Sequence, residues 1–328
     1  MVTKETTMGE IFKLPELKEI SKYLMFVTEG DDSAPDVENT KLESVAEMGW
    51  SPEGMVQGIN NLLQLIKDGR QKQYFIYDSN EATDDPLKKE VNLIHLMPKT
   101  IDENKPYVVL CAGGAYQTIA TMVESLPTAR HFLDAGYQVF LMTYRVGSIG
   151  VAPKALDDVG AAIQWLEAHA KQLKIAKGKY AIGGWSAGAN LICNWGVPEI
   201  GYRKHNVPEP ICMFPIYTFV DLKTEAKRDE HGGLVYPMFG ENYKEMLDDY
   251  NVVEHVNKEY PPCYIVCGSN DGLVPPRNSE MLRDLLEESG VPAKLEEGKN
   301  ARHGFGDGTG TDVEGWPERA IQFMVEVQ

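Results

Sequence analysis

Along the first 70 residues the apolar positions recur at helical spacing and give no strand signal. Ile11, Leu14, Leu17, Ile20 and Leu24 form one such set, and Met55, Ile59, Leu62, Leu63 and Ile66 form a second. Both ends of the second are marked, by Ser51 as N-cap, Pro52 at the first helical position and Gly69 beyond the last turn. The acidic, polar residues 29–43 between them read as a loop. From Gln73 onward short apolar runs alternate with amphipathic stretches. Residues 74–77 and 91–97 predict a leading strand pair, and residues 107–111, 138–143, 180–183, 211–215, 263–267 and 293–297 predict six more strands. Helices are expected over 120–135, 155–173, 187–195, 279–289 and 313–327. Such alternation predicts an α/β fold, a mostly parallel eight-stranded sheet flanked by helices on both faces. Residues 217–260 break the rhythm and carry aromatics without a strand period, and insertions of that length are commonly functional. The chain thus divides into an N-terminal helical extension, 1–72, and an α/β domain, 73–328, with a lid-like insertion at about 217–260.

Composition narrows the chemistry. At 328 residues, 43% of them hydrophobic, the chain is long enough for one large α/β domain with an appendage. No run of eighteen apolar residues suggests a membrane span, and Met1 to Glu10 has no apolar core of a signal peptide. A net charge of −17 argues against nucleic acid and anionic lipid as partners and fits a protein acting on small neutral or cationic molecules. Four of the five cysteines (Cys111, Cys212, Cys263, Cys267) fall in or beside strand-like runs, and Cys193 falls in a helix. Cys263 and Cys267 on one extended strand would stand about 13 Å apart, too far to bridge. No Cys/His cluster has zinc spacing. Buried, reduced thiols in a cytoplasmic protein are the economical expectation, and a homo-oligomer is left open.

One stretch carries reaction chemistry. Lys179-Tyr-Ala-Ile-Gly-Gly-Trp-Ser186-Ala-Gly-Ala-Asn190 reads as a strand, a tight turn and a helix. That turn exposes the Ser186 hydroxyl beside the free N–H groups of a helix start, with glycines letting strand and helix crowd together. A serine needs a base, and the base an orienting carboxylate. His303 stands in the glycine-rich loop Arg302-His303-Gly304-Phe305-Gly306 after the last predicted strand, where open α/β sheets place their sites. His231, before Gly232-Gly233, is its competitor. Asp271 follows another strand through Gly268-Ser269-Asn270; Asn-Asp-Gly is also a turn signal, but the order Ser186, Asp271, His303 favours the catalytic reading. The Gly113-Gly114 pair after residues 107–111 lets bare backbone approach a substrate carbonyl, and the Ala187 N–H is the expected second donor.

These motifs together resemble the serine esterases of the α/β-hydrolase superfamily. The chain is most similar to acetyl-esterase and acetylxylan-esterase-like proteins and to the hormone-sensitive-lipase-like branch. The resemblance rests on Ala112-Gly113-Gly114-Ala115-Tyr116, Tyr144-Arg145, Gly184-Trp185-Ser186-Ala187-Gly188, the Gly268-to-Pro275 acid loop and His303-Gly304-Phe305, in that order. It covers about residues 73–328. It implies a Ser186, Asp271, His303 triad, an oxyanion hole from Gly114, Ala115 and Ala187, and no metal or organic cofactor. Ala115 in place of a third glycine and Ala112 in place of His or Pro are departures. Gly113, Tyr116 and Trp185 are the residues expected to shape the substrate pocket. Arg145 and Asp158 read as a structural ion pair. Tyr217, Phe219, Tyr236, Met238 and Phe239 read equally as a hydrophobic lid and as a satellite core. The expected function is a carboxylesterase of small acyl esters, acetylated sugars among them. The alternatives are a peptidase of the prolyl-oligopeptidase type and a ligand-binding module without chemistry.

Overall fold

A computed structural model describes residues 1–28, 37–227 and 235–328. Its strands are β1 Phe26–Val27, β2 Gln71–Phe75, β3 Asn92–Leu96, β4 Tyr107–Cys111 and β5 Thr118–Ile119. They continue as β6 Val139–Thr143, β7 Tyr180–Trp185, β8 Cys212–Ile216, β9 Cys263–Gly268 and β10 Ala293–Gly298. Eight of them form one sheet in the order β10-β9-β8-β7-β4-β6-β3-β2, with β3 antiparallel to both its neighbours and the other pairings parallel. From β4 the chain winds outward to β6 on one side and to β7, β8, β9 and β10 on the other. The reversal opens a crevice above the carboxyl end of β4. Strands β4, β6, β7, β8 and β9 are buried along their whole length, which is why each is a short, nearly unbroken apolar run. The edge strands β2 and β10 alternate with polar residues instead.

The N-terminal region departs from expectation twice. The first apolar set is not one helix: a helix spans Met8–Phe12, then 3-10 turns follow at Pro15–Leu17 and Ser21–Tyr23. Pro15 has no N–H to donate and its ring clashes with the preceding turn. Ile11, Leu17, Ile20 and Leu24 are nevertheless all buried, so the periodicity reported a face rather than a continuous helix. The region also contains a strand, β1, which pairs antiparallel with β5, Phe26 opposite Ile119 and Val27 opposite Thr118. Two residues are too few to leave an alternation. The second set does form a helix, Pro52–Lys67, capped by Ser51 Oγ accepting the Gly54 N–H at 3.1 Å.

The helix expected from Ala120 begins only at Ser125, and before it the Ala120 and Met122 N–H groups donate to the Gly113 and Leu24 carbonyls at 2.9 and 2.7 Å. Residues 120–124 become part of the site. All five cysteines are buried and unpaired. Among the described residues no helix is long and apolar enough to cross a membrane. In the insertion, Met238 and Phe239 are buried and Phe239 packs on Tyr250 at 5.1 Å between ring centroids.

Candidate active site

Ser186 sits between β7 and the helix Ala187–Trp195 at φ 50°, ψ −116°, a conformation L-residues rarely hold. Its N–H donates to Ile216 O at 3.0 Å and its carbonyl accepts from Asn190 at 2.9 Å, which fixes the turn from both sides. The elbow glycines are required by crowding. A Cβ on Gly184 would run into the Gly188 carbonyl, and one on Gly188 into the Cys111 carbonyl of β4. A Cβ on Gly113 would meet Trp185 O at 2.5 Å and Ser186 Cβ at 2.9 Å.

Loops from three strand ends converge here. His303 Nε2 lies 3.0 Å from Ser186 Oγ, and His303 Nδ1 lies 2.7 Å from Asp271 Oδ2. Asp271 is also the turn residue its sequence suggested: its other oxygen accepts the N–H groups of Leu273 and Val274 at 2.9 and 2.8 Å. One carboxylate oxygen thus holds the turn and the other faces His303. With Nδ1–H held by a carboxylate, Nε2 is left to accept a proton from the serine. His231 lies outside the described residues.

The loop after β4 runs through Gly114, Ala115 and Tyr116 at φ 137°, 55° and 59°. Among the described residues, the N–H groups of Gly114, Ala115 and Ala187 have no protein acceptor. Gly114 and Ala115 line the same cavity as Ser186, and Ala187 follows Ser186 in the chain; unclaimed N–H groups of this kind can receive an anionic oxygen. The Gly113 N–H is not free, because it donates to Glu124 Oε2 at 2.5 Å. Tyr144 braces the loop from below, its hydroxyl donating to Ala112 O at 2.6 Å.

A cavity of about 460 Å³ opens over Ser186 and His303. Its apolar wall is Phe12, Met25, Val27, Val37 and Trp50 from the N-terminal region, with Leu273 from the acid loop. None of the described residues of 217–260 lines it; the apolar wall is supplied by the N-terminal region instead. Gly49 abuts the His303 carbonyl, and Trp50 covers Gly304. The three expected pocket residues also lie elsewhere. Gly113 is tied to Glu124, the Tyr116 hydroxyl donates to Asn190 Oδ1 at 2.9 Å under the loop, and Trp185 is buried with its Nε1 donating to Gly306 O at 3.2 Å. Trp185 is the last residue of β7, and its ring packs against Trp316 at 6.2 Å between centroids, away from the cavity lining.

Two charged residues inside the domain are accounted for differently. Arg145 donates from Nε and Nη2 to Asp158, at 2.7 Å for the shortest contact, and from Nη1 to Asp85 at 3.1 Å. This is the structural ion pair expected, with Tyr77 Oη adding a hydrogen bond to Asp158 at 2.7 Å. Glu124 was not anticipated. It lines the cavity, is 5% exposed, and accepts the Tyr217 hydroxyl at 2.8 Å as well as Gly113. Burial pushes its carboxyl up to about 7, against the opposing pull of those two donors and of His303. The signal available in sequence was a lone acid inside the apolar run from Ile119 to Leu126.

The chain is similar to known proteins. The chain is 24% identical over 205 residues to endo-1,4-beta-xylanase B of Butyrivibrio fibrisolvens and 23% identical over 211 residues to the probable carboxylic ester hydrolase LipM of Mycobacterium tuberculosis. Each match covers 58% of this chain, but only 31% of the xylanase and 48% of LipM, so the chain spans a third to a half of those relatives. The crystal structure of an acetyl ester-xyloside bifunctional hydrolase from Caldicellulosiruptor lactoaceticus superposes with a TM-score of 0.66 at 21% identity, over 79% of this chain and 97% of that one. The fold is that of the α/β-hydrolases. The BD-FAE family model matches residues 94–286, which include β4, the Ser186 elbow and Asp271. With more than half of its length matched and the fold in agreement, the chain belongs to the BD-FAE family.

Proposed function

We propose that the chain is a serine carboxylesterase that hydrolyses small acyl esters, acetylated sugars among them, through Ser186, His303, Asp271 and an acyl-enzyme. The observation that carries this reading is Ser186 Oγ at 3.0 Å from a histidine held by a carboxylate, on the floor of an apolar cavity. In the forward step Ser186 Oγ attacks the ester carbonyl carbon while its proton passes to His303 Nε2. The carbonyl electron pair moves onto oxygen, where the Gly114, Ala115 and Ala187 N–H groups receive it. Collapse breaks the bond to the alcohol oxygen, which takes the proton from His303. Water then repeats the sequence on the acyl-enzyme, with His303 as base, and releases the carboxylic acid and Ser186.

The apolar wall supports short aliphatic acyl groups. The similar acetyl ester-xyloside hydrolase supports acetyl esters of sugars as one substrate form. The deciding experiment is turnover of an acyl-chain series of p-nitrophenyl esters, an acetylated xylo-oligosaccharide and a peptide amide, by wild type and Ser186→Ala. Ester hydrolysis that falls on the order of a thousandfold or more in the alanine variant is expected. Near wild-type hydrolysis in that variant overturns the mechanism, and a preference for the amide replaces it with the peptidase reading.

A further inference from the structure

Among the described residues, Glu124 is the one buried carboxyl that lines the crevice without belonging to the serine–histidine–aspartate set. Two independent contacts give it a place in the working of that set. Its Oε2 accepts the Gly113 N–H at 2.5 Å, on the residue just before the two free loop N–H groups. Its Oε1 accepts the Tyr217 hydroxyl at 2.8 Å. The Tyr217 ring in turn packs against the His303 imidazole, 4.6 Å between centroids, and edge-on against Phe305 at 4.8 Å.

Tyr217 is itself held at φ 40°, directly after β8 as Ser186 follows β7, and its N–H donates to Val266 O at 2.7 Å. A non-glycine residue in the left-handed region costs on the order of 1 kcal/mol or more and persists where surrounding structure imposes it. Here the imposed conformation carries a phenol between a carboxyl and the histidine. Gly113 passes close to the elbow, since a Cβ there would run into Trp185 O and Ser186 Cβ. Glu124, Gly113, Ser186, Tyr217 and His303 are therefore one contiguous network.

We propose that Glu124 is a positioning residue that ties the oxyanion loop to the histidine, one carboxylate oxygen setting the Gly113 peptide and the other setting Tyr217 behind His303. The inference rests on the esterase reading of the site. Losing the Gly113 tie lets the 113–115 segment rotate, so that the Gly114 and Ala115 N–H groups miss an oxygen that forms only during reaction. Losing the Tyr217 tie frees the ring that backs the imidazole. Both faults fall on kcat more than on KM, because they weaken interactions made in the transition state rather than substrate binding.

The variants separate positioning from other roles. In Glu124→Gln the amide oxygen still accepts from Gly113 and the amide nitrogen can donate to the Tyr217 oxygen, so both ties survive without charge. Glu124→Ala removes both ties, and Tyr217→Phe removes one while keeping the ring. With p-nitrophenyl acetate, Glu124→Ala is expected to lose about thirtyfold or more in kcat with KM within threefold, Tyr217→Phe about fivefold, and Glu124→Gln less than fivefold. The Glu124→Ala and Tyr217→Phe losses combine to less than their product, since they act on one strut.

Wild-type kcat in Glu124→Ala overturns the proposal, as does a rise in KM at constant kcat, or a Glu124→Gln loss equal to that of Glu124→Ala. If Glu124→Ala does not fold, Tyr217→Phe decides, and unchanged kcat there overturns it. The rate at which a fluorophosphonate labels Ser186, read by intact mass, gives the same comparison without an ester. A wild type that labels but hydrolyses no ester therefore sinks the esterase reading alone.

Discussion

Replacing Glu124 by Gln should make the protein's stability less sensitive to pH, and the size of the change follows from where the carboxyl sits. The side chain is 5% exposed, and burial lifts it from the usual 4.5 to about 7. Between those values the folded chain holds a proton that the unfolded chain has released. Stability therefore falls as pH rises through this window, which is the sign for a carboxyl raised on folding. Applying that linkage from pH 5 to pH 8 gives a loss of about 2 to 3 kcal/mol from this group. The Gln variant cannot ionise and mimics the protonated form, so it should lie within about 1 kcal/mol of wild type near pH 5 and exceed it by about 3 kcal/mol at pH 8. Urea unfolding of both proteins at half-unit intervals from pH 5 to 8 measures the difference, and all other titrating groups cancel in the comparison. Parallel curves, or a Gln variant less stable than wild type at pH 8, would refute the account of a buried carboxyl forced to ionise.

Three further perturbations test the scaffold and the cavity. Gly188→Ala drives a Cβ into the Cys111 carbonyl and to 2.7 Å from Ala112 O; a loss of about 1 to 3 kcal/mol in urea unfolding is expected, together with reduced ester turnover. Arg145→Met leaves Asp158 buried without its cation, and about 3 to 5 kcal/mol should be lost; thermal unfolding unchanged within 2 °C would refute the ion pair's structural role. Trp50→Ala opens the cavity wall, and a loss of about 1.5 kcal/mol of apolar contact predicts roughly a tenfold rise in KM for a butyrate ester. An acetate ester should change less, so an unaltered acetate-to-butyrate preference would remove Trp50 from the acyl-binding wall.

Much of the fold can be read directly from residue order, for a physical reason. A strand buried on both faces must be apolar throughout, so β4, β6, β7, β8 and β9 stand out as short runs. Ser186 and Asp271 were legible because each occupies a turn after such a run, and His303 because it stands in a glycine-rich loop after the last strand; chain order restricts which turns can meet. Their neighbours were not. Tyr116 and Trp185 adjoin the site along the chain, yet alternation and backbone twist send their side chains beneath it. The cavity wall comes from Phe12, Met25, Val27, Val37 and Trp50, on the end of a five-residue helix, irregular backbone and a two-residue strand whose placement is decided by distant partners. These positions also lie outside the family match, which begins at residue 94 and ends at residue 286, before His303. The apolar wall of the cavity is therefore built by the part of the chain where local pattern says least. Glu124 escaped notice because an acid in an amphipathic stretch ordinarily marks a solvated helix face.

The capping hydroxyl of Ser51 donates to Thr309 O at 2.9 Å, joining residues 258 positions apart. Beside it, Gly49 and Trp50 seat the histidine loop. Loop-closure entropy makes contacts of such separation late events in folding. The central sheet can gather from nearer neighbours while this seam is still open. A refolding chain should therefore regain its circular dichroism before it regains turnover. During that lag Ser186 would already be raised on its elbow with no seated histidine to activate it.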